Sequence, residues 1–435
     1  DLHLHATPSF DSGMPLPRRV TTIAAEGVEF ALATDHDAAT DYGPIVESLS
    51  LQSQVKTAVS AEITTLEQGH FIAFPMDYDH KTVPMHGAHD WTCQSGKEII
   101  EGIRATAEPE KDMFLLVAHP RDGFFGYVDQ LGVDGFTMNR ELNLLTQGTP
   151  VFRTSECSFD GMEIIAGKRF DLIRTPTVRE VVDWNRCFNR VNGATTPEEL
   201  GAACPEVPES PLVECREGER FPACKGRART VLAKVMTKRI LARSADEQDK
   251  NWDYGGTMAD SQLFCDTTVI NDDDAVPAGL GDEPCSFRPG QVDDFFRYLE
   301  RGLLATQISS SDGHNDMKEP GYPRTYYLSP TDSPLGLSVD AAVDSLKKRQ
   351  AFSTYGPYVW AQLDGKTYGQ TASASPGHNV EMLLDVQTAS WFGVDRVEVY
   401  MNGRLARVYT PDVPVTEIHD LKGKVPLTVP DRDSW

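Results

Sequence analysis

The chain has 435 residues with a hydrophobic fraction of 40% and a charged fraction of 24%, the proportions of a globular protein long enough for two or three domains. Asp and Glu outnumber Lys and Arg by 65 to 41, a formal charge of −24 that no basic block offsets. Such a surface repels phosphate backbones and anionic lipids, which argues against nucleic acid and membrane partners, and no apolar run reaches the eighteen or so residues needed to span a bilayer.

The opening residues Asp1-Leu2-His3-Leu4-His5 alternate polar and apolar. In an extended strand the two imidazoles share one face and can grip one metal ion with little backbone adjustment. A turn at 9–13 follows, then a helix predicted over 17–26 with Gly27 as its C-cap. Residues 28–34 (VEFALAT) form an apolar run suited to a buried parallel strand, which ends in Asp35-His36-Asp37. The patterns then predict a helix over 42–51, a single strand over 55–65 carrying Glu62, and a strand over 70–74 that begins with His70. A helix over 96–107 leads to a strand at 113–117 ending in Ala118-His119-Pro120-Arg121, and another strand follows at 162–165. Late in the chain a helix at 292–299 precedes a strand at 303–308, which runs into Ser311-Asp312-Gly313-His314; an amphipathic helix covers 338–349.

Strand, polar strand end and helix recur, which argues for parallel strands joined by crossover helices in an α/β barrel or open sheet. In a barrel the residues just past the strand ends converge on one face. Here those positions hold His3, His5, Asp11, His36, Glu62, His119, Asp312 and His314. This density of imidazole and carboxylate is the strongest signal in the sequence.

The interval 185–290 breaks the rhythm. It is rich in Pro and acidic residues, carries one basic helix near 228–243, and holds six of the eight cysteines, Cys187, Cys204, Cys215, Cys224, Cys265 and Cys285. None forms a CxxC, so the cluster reads as an insertion stapled by disulfides in an extracellular or periplasmic compartment. Buried free thiols in a cytoplasmic enzyme are the alternative. No leader precedes the ligand strand, which reads as a trimmed form, so localisation rests on the cysteines. Beyond Gly356, alternating stretches separated by turns, with a hairpin tip at 401–404, predict a small β-sandwich-like domain over 356–435.

Imidazoles and carboxylates without thiolates suit divalent Zn, Mn or Fe. The candidates are too many for one ion, so two or three ions bridged by a carboxylate such as Glu62 are expected. Bridged ions lower the pKa of a shared water toward neutrality, giving a hydroxide nucleophile, and clamp the oxygen that gains charge in the transition state. The chemistry this serves is hydrolysis of a small-molecule ester.

With those residues in view, the chain resembles the PHP (polymerase and histidinol phosphatase) superfamily of metal-dependent hydrolases. The resemblance runs through DLHLH at 1–5, TDHD at 34–37, AEI at 61–63, AHPR at 118–121 and SDGH at 311–314. It looks closest to the carbaryl-hydrolase-like (CehA/McbA) branch, through stretches at 63–75, 118–127, 158–169 and 321–327. It covers most of 1–180 and 290–370, leaving out the insertion and the tail. The resemblance implies a distorted (β/α)7 TIM-like barrel over 1–355, with metals at its C-terminal mouth. It further implies one ion position at His3, His5, Glu62 and Asp312, a second at Glu62, His70 and His119, and a third at Asp11, His36 and His314. His70, which starts its strand, enters the set only through this resemblance, and Asp11 stands where some members carry a histidine.

Other residues have supporting or competing readings. Asp35 and Asp37 could orient His36, Glu163 could accept a hydrogen bond from a ligand or from Lys168, and Asp1 reads as a partner of backbone groups. His80, His86 and His89 lie in a polar loop and read as solvated. Arg121, Lys168 and Arg324 could hold an anionic substrate group or stabilise an oxyanion, or could make structural salt bridges. Three functions compete: a phosphoesterase served by these cations, a carboxylic ester or carbamate hydrolase with Phe124, Phe125, Tyr127, Tyr326 and Tyr327 lining an apolar pocket, and a secreted binding protein with a structural metal cluster.

Overall fold

A computed structural model of the chain describes residues 1–128, 158–167, 186–204, 215–228 and 291–435, apart from positions 67, 80, 83, 84, 108–110, 123, 124, 188, 217, 317, 391, 392, 395, 396, 403 and 410–417. The chain divides into two compact units: residues 1–133, 140–169 and 294–435, and residues 134–139 with 170–293.

In the first unit, helix α1 (Leu16–Ala25) starts behind Pro15 and buries Arg19, Val20 and Ile23. Strand β1 (Phe30–Ala33) follows and is buried along its whole length. Phe30 and Leu32 enter one apolar cluster while Ala31 and Ala33 enter another, so β1 has protein on both faces, as its unbroken apolar run requires. After α2 (Gly43–Ser48), β2 (Lys56–Val59) pairs in parallel with β1. Strands β3 (Ala61–Thr64), β4 (His70–Phe74), β5 (Phe114–Val117), β6 (Gly161–Ala166) and β7 (Thr306–Ser310) form a five-stranded sheet in that order. Helix α3 (Gly96–Ala105) precedes β5 and opens on a complete capping box between Ser95 and Glu98.

This sheet is mixed, where the sequence pattern predicts parallel pairing throughout. β3–β4 and β4–β5 are antiparallel, and β5–β6–β7 are parallel. The reason lies in the short 65–69 connection, which can close a hairpin but cannot carry a crossover. Gly69 turns it at φ +74°, and a Cβ there would meet the Tyr127 backbone nitrogen at 2.2 Å, so only glycine fits. The single strand predicted over 55–65 is two strands, because Ser60 leaves the ladder to bridge Thr40. β2 then serves β1 while β3 begins the larger sheet.

Among the described residues the strands form several sheets and none closes into a barrel. Two single parallel bridges lie at the margins, Leu4 to Gly313 and His36 to Glu62. Around the first, the opening segment is held on both sides: His5 N donates to the Gly313 carbonyl at 3.0 Å and Thr34 N to the Leu4 carbonyl at 3.1 Å.

Helix α4 (Pro197–Gly201), capped by Thr196, belongs to the second unit. That unit holds disulfides Cys187–Cys204 and Cys215–Cys224 around a small apolar cluster with Val191, Leu200 and Ala228. Such pairs accord with an oxidising compartment. Cys93 is a free, exposed thiol, while Cys157, Cys265, Cys285 and nearly all of the predicted basic helix lie outside the described residues.

Helix α5 (Gln291–Glu300) leads toward β7. Strands β8 (Arg324–Tyr327) and β9 (Ala351–Thr354) pair antiparallel, with helix α6 (Val339–Lys347) between them in sequence. The tail holds β10 (Tyr358–Leu363), β11 (Asn379–Gln387) and β14 (His419–Thr428) in one sheet, and a hairpin of β12 (Val397–Met401) and β13 (Arg404–Tyr409). The two share one apolar cluster that includes Leu384, Val386, Val425, Val397 and Val399. Asn402, in the left-handed region at φ 52°, turns the hairpin where the sequence pattern places its tip. No described helix is long and apolar enough to cross a membrane.

Candidate metal centre

Residues 1–5, expected from the sequence as a strand, make only a single bridge at Leu4, and all five are buried. Leu2 and Leu4 join the apolar clusters, and His3 and His5 are 0% exposed. Asp1 works as an anchor: its carboxylate accepts from the backbone of His3, Ser311 and Gly321, tying this segment to the chain around Asp312.

Glu62, on β3 and also 0% exposed, lies at the centre of five imidazoles. Its Oε2 is 3.3 Å from His3 Nε2, 3.4 Å from His5 Nε2 and 2.9 Å from His36 Nδ1. Its Oε1 is 2.8 Å from His70 Nδ1 and 3.2 Å from His119 Nε2. The antiparallel β3–β4 register sets Thr64 opposite His70 and Glu62 opposite Ile72, so the hairpin brings His70 back beside Glu62. Asp312 Oδ1 sits 3.4 Å from His3 Nε2, 3.3 Å from His5 Nε2 and 3.3 Å from His314 Nδ1. Asp11 Oδ2 lies 3.3 Å from His36 Nε2 and 3.0 Å from His314 Nε2. His119 (φ 23°), Asp312 (φ 48°) and Asp37 (φ 50°) occupy the left-handed region, backbone strain of the kind held at functional sites.

A layer of partners orients these rings. Glu163, fully buried on β6, takes His3 Nδ1 at 3.1 Å on one oxygen and accepts from His119 N at 2.7 Å on the other. His5 Nδ1 meets Ser9 Oγ at 3.0 Å; that hydroxyl donates to Asp35, which also accepts from Ala6 N. His36 Nδ1 lies 2.6 Å from Thr64 Oγ1, and Asp37 accepts from Thr64 N and Trp91 Nε1. Asp35 and Asp37 therefore act on His36 through Ser9 and Thr64 rather than directly. Ser9 and Thr64 carry no signal in the sequence, since a hydroxyl beside a ligand looks like any other.

Charges are strongly coupled. Burial disfavours a charge on His3, yet Glu62, Glu163 and Asp312 outweigh it and hold its pKa well above the ordinary imidazole value. His36 is pushed up to about 9, Glu62 and Asp11 overcoming its burial. His5 goes the other way, lowered by burial and by the neighbouring His3 and His314. Burial also works against the charge of Glu62 and Asp312, but the surrounding histidines keep both carboxylates well below their usual range.

All nine candidate ligands come together. They form four overlapping groups: His5, Asp11, His36 and His314; His3, Glu62 and His119; His3, His5 and Asp312; and His36, Glu62 and His70. Within each group one donor atom per residue lies within 4.8 Å of the others. The fit to divalent ions rests on atoms left over. His3 Nε2, His5 Nε2, Glu62 Oε2, His70 Nε2 and His119 Nδ1 are buried without a hydrogen-bond partner, an arrangement that is costly unless a cation satisfies it. Imidazole and carboxylate donors suit Zn, Mn or Fe, and nothing in the geometry selects among them.

Of the three candidate cations, the two described ones, Arg121 and Arg324, take structural pairings, one of the two readings the sequence leaves open. Arg121 is buried, with Nε and Nη2 on the Asp294 carboxylate at 2.6 and 2.7 Å. Arg324 donates to the carbonyls of Gly321 and Glu26, neither of them a donor of the cluster. Lys168 and Phe124 lie outside the described residues, as does His80. Lys318, not singled out from sequence, has its Nζ 3.7 Å from Asp312 Oδ2. His89 pairs with Gln94, and neither it nor His86 joins a donor group. Tyr127 is core, packed on Phe71 and Phe159. Tyr326 and Tyr327 line a cavity of about 490 Å³ that none of the nine donors reaches. Phe125 does lie at the cluster, 5.1 Å from the His70 ring, and Phe10 stacks on His36 at 5.0 Å with 82% of its surface exposed.

No protein-family model matches the chain, and no curated protein matches it. Fold and site define a mixed α/β protein whose buried histidine–carboxylate cluster could hold metal ions.

Proposed function

We propose that the chain is a metal-dependent hydrolase of ester-type bonds, holding two or three divalent ions at the nine-residue cluster. The observation that carries this reading is Glu62, whose two oxygens face five imidazoles while several of the surrounding donor atoms lack hydrogen-bond partners. A structural ion would need three or four ligands; this set exceeds that and extends to the partly exposed Asp11 and His314. Bound ions would supply activation of a water and neutralisation of charge on the ester oxygen. The protein's own part is orientation. Glu163 and Ser9 fix the rings of His3 and His5, and Asp312 and Asp11 supply negative charge at the solvent-facing side.

The resemblance to PHP hydrolases supports the same reading. It carries with it the proposal of a (β/α)7 barrel, for which the Leu4–Gly313 and His36–Glu62 bridges at the margins of the main sheet are the support. An extracellular or periplasmic location goes with the two disulfides.

A phosphoester is the first choice of substrate, because a multi-cation centre answers a phosphoryl group's charge. With Arg121 and Arg324 committed elsewhere, Lys318 is the described ammonium nearest to Asp312. A carboxylic ester or carbamate is the second, favoured by the exposed rings of Phe10 and Phe125 against His36 and His70. The zinc-, manganese- and iron-loaded protein should be assayed on p-nitrophenyl phosphate, bis-p-nitrophenyl phosphate, p-nitrophenyl acetate and 1-naphthyl methylcarbamate. Turnover of at least one, lost in His3→Ala, is expected. Full metal occupancy without turnover of any would leave a metal-binding protein and no hydrolase.

A further inference from the structure

Helix α1 supplies no donor to the metal centre, yet its Arg19 is 0% exposed and among the largest fully buried side chains described. Its Nε donates to the His5 carbonyl at 2.8 Å and its Nη2 to the Gly313 carbonyl at 2.7 Å. No described carboxylate makes a contact ion pair with it; Tyr42, Asp35 and Asp316 support its charge against burial from farther away. A guanidinium is costly to desolvate, and its planar fork is suited to holding two acceptors at a fixed spacing. Here the two acceptors belong to segments also joined by the Leu4–Gly313 bridge, a few backbone bonds and the Asp1 carboxylate on Ser311 and Gly321; Arg19 is the side chain that takes the His5 and Gly313 carbonyls together. One segment carries His3 and His5, and the other carries Asp312 and His314 on either side of Gly313. Glu62 lies on β3 and His119 just past β5, and the His3 ring that groups with them is held by Glu163 rather than by the Arg19 fork.

We propose that Arg19 is a positioning residue that sets the spacing between His5 and the Asp312–His314 segment. It thereby governs the donor group of His5, Asp11, His36 and His314 separately from that of His3, Glu62 and His119. The inference rests on the metal-binding reading above and deepens it: one of the ion positions is built on a fork beneath the site.

The test titrates metal-free wild type, Arg19→Gln, Arg19→Lys and Ile23→Ala with zinc. Bound zinc is counted per chain, and the melting temperature of each metal-free protein is recorded. Arg19→Gln should bind one zinc fewer than wild type, or bind it roughly 10–100-fold more weakly, with the tighter zinc unchanged. Lysine can reach one carbonyl at a time, so Arg19→Lys should fall between. Ile23→Ala truncates a core residue of the same helix; it should lower the melting temperature at least as much and keep the wild-type zinc count. If Arg19→Gln does not fold, Arg19→Lys set against Ile23→Ala answers the same question. Wild-type zinc counts and affinities in the Arg19 variants overturn the proposal, as does loss of the same zinc in Ile23→Ala. A wild type that takes up no zinc removes the metal reading itself, and this inference with it.

Discussion

Glu62 and Glu163 are both fully buried carboxylates, and they do different work. Glu62 faces five imidazoles, so replacing it with Gln removes the negative charge shared by two of the four donor groups. We expect Glu62→Gln to bind less zinc per chain, measured on dialysed protein by atomic emission. Glu163 touches His3 and the His119 backbone and belongs to none of the donor groups. Glu163→Gln should keep the zinc count at saturation but weaken affinity roughly 10–100-fold, read by competition with a chelator. Eight of the nine donors were legible in the sequence because imidazole and carboxylate at successive strand ends are chemically conspicuous; His70, at the start of its strand, was reached only through the family resemblance. Ser9, Thr64 and Arg19 were not, since a hydroxyl or a buried guanidinium is recognised only by what it touches. For Arg121 the sequence left a substrate role and a salt bridge both open for the same reason: its partner, Asp294, is far along the chain.

Among the elements, the β3–β4 hairpin decides where His70 goes, and Gly69 decides whether the hairpin can close. Gly69→Ala should destabilise the protein by at least about 2 kcal/mol in urea unfolding, since it combines a strained φ with a clash on Tyr127. A loss under half a unit would mean that the 65–69 turn relaxes freely. Most helices and strands were visible from hydrophobic periodicity. What periodicity could not show was pairing direction and the break at Ser60, because an apolar run reads the same whether its neighbour lies parallel, lies antiparallel or is exchanged midway for another.

On the scale of the whole molecule, two disulfides occupy four of the eight cysteines. At most four thiols should therefore titrate in denatured, unreduced protein; six or more would point to a reducing compartment. Protons and metal should act in opposite senses. His36 has a pKa of about 9 when no metal is bound, against about 6.5 in an unfolded chain. Its contribution to folding is then full below pH 6.5 and fades as pH rises through 9. The melting temperature of metal-free protein should fall across that window. Zinc affinity should rise across it, because each ligating imidazole must give up its proton, and zinc addition at pH 7 should release protons into a weakly buffered solution. Parallel slopes would contradict the shared-site reading.

The seam between Leu4 and Gly313 has a consequence for the protein's birth. On the ribosome, Asp312 and His314 follow His3 and His5 by roughly 15–60 s at 5–20 residues per second. Throughout that interval a nascent chain displays two nearby imidazoles on a segment that lacks its Gly313 neighbour. Early capture of zinc by the His3–His5 pair would be weak and reversible, and the complete centre can assemble only after the last segment docks. Assembly of the complete donor cluster is therefore a late event, coupled to the docking of a segment far along the chain.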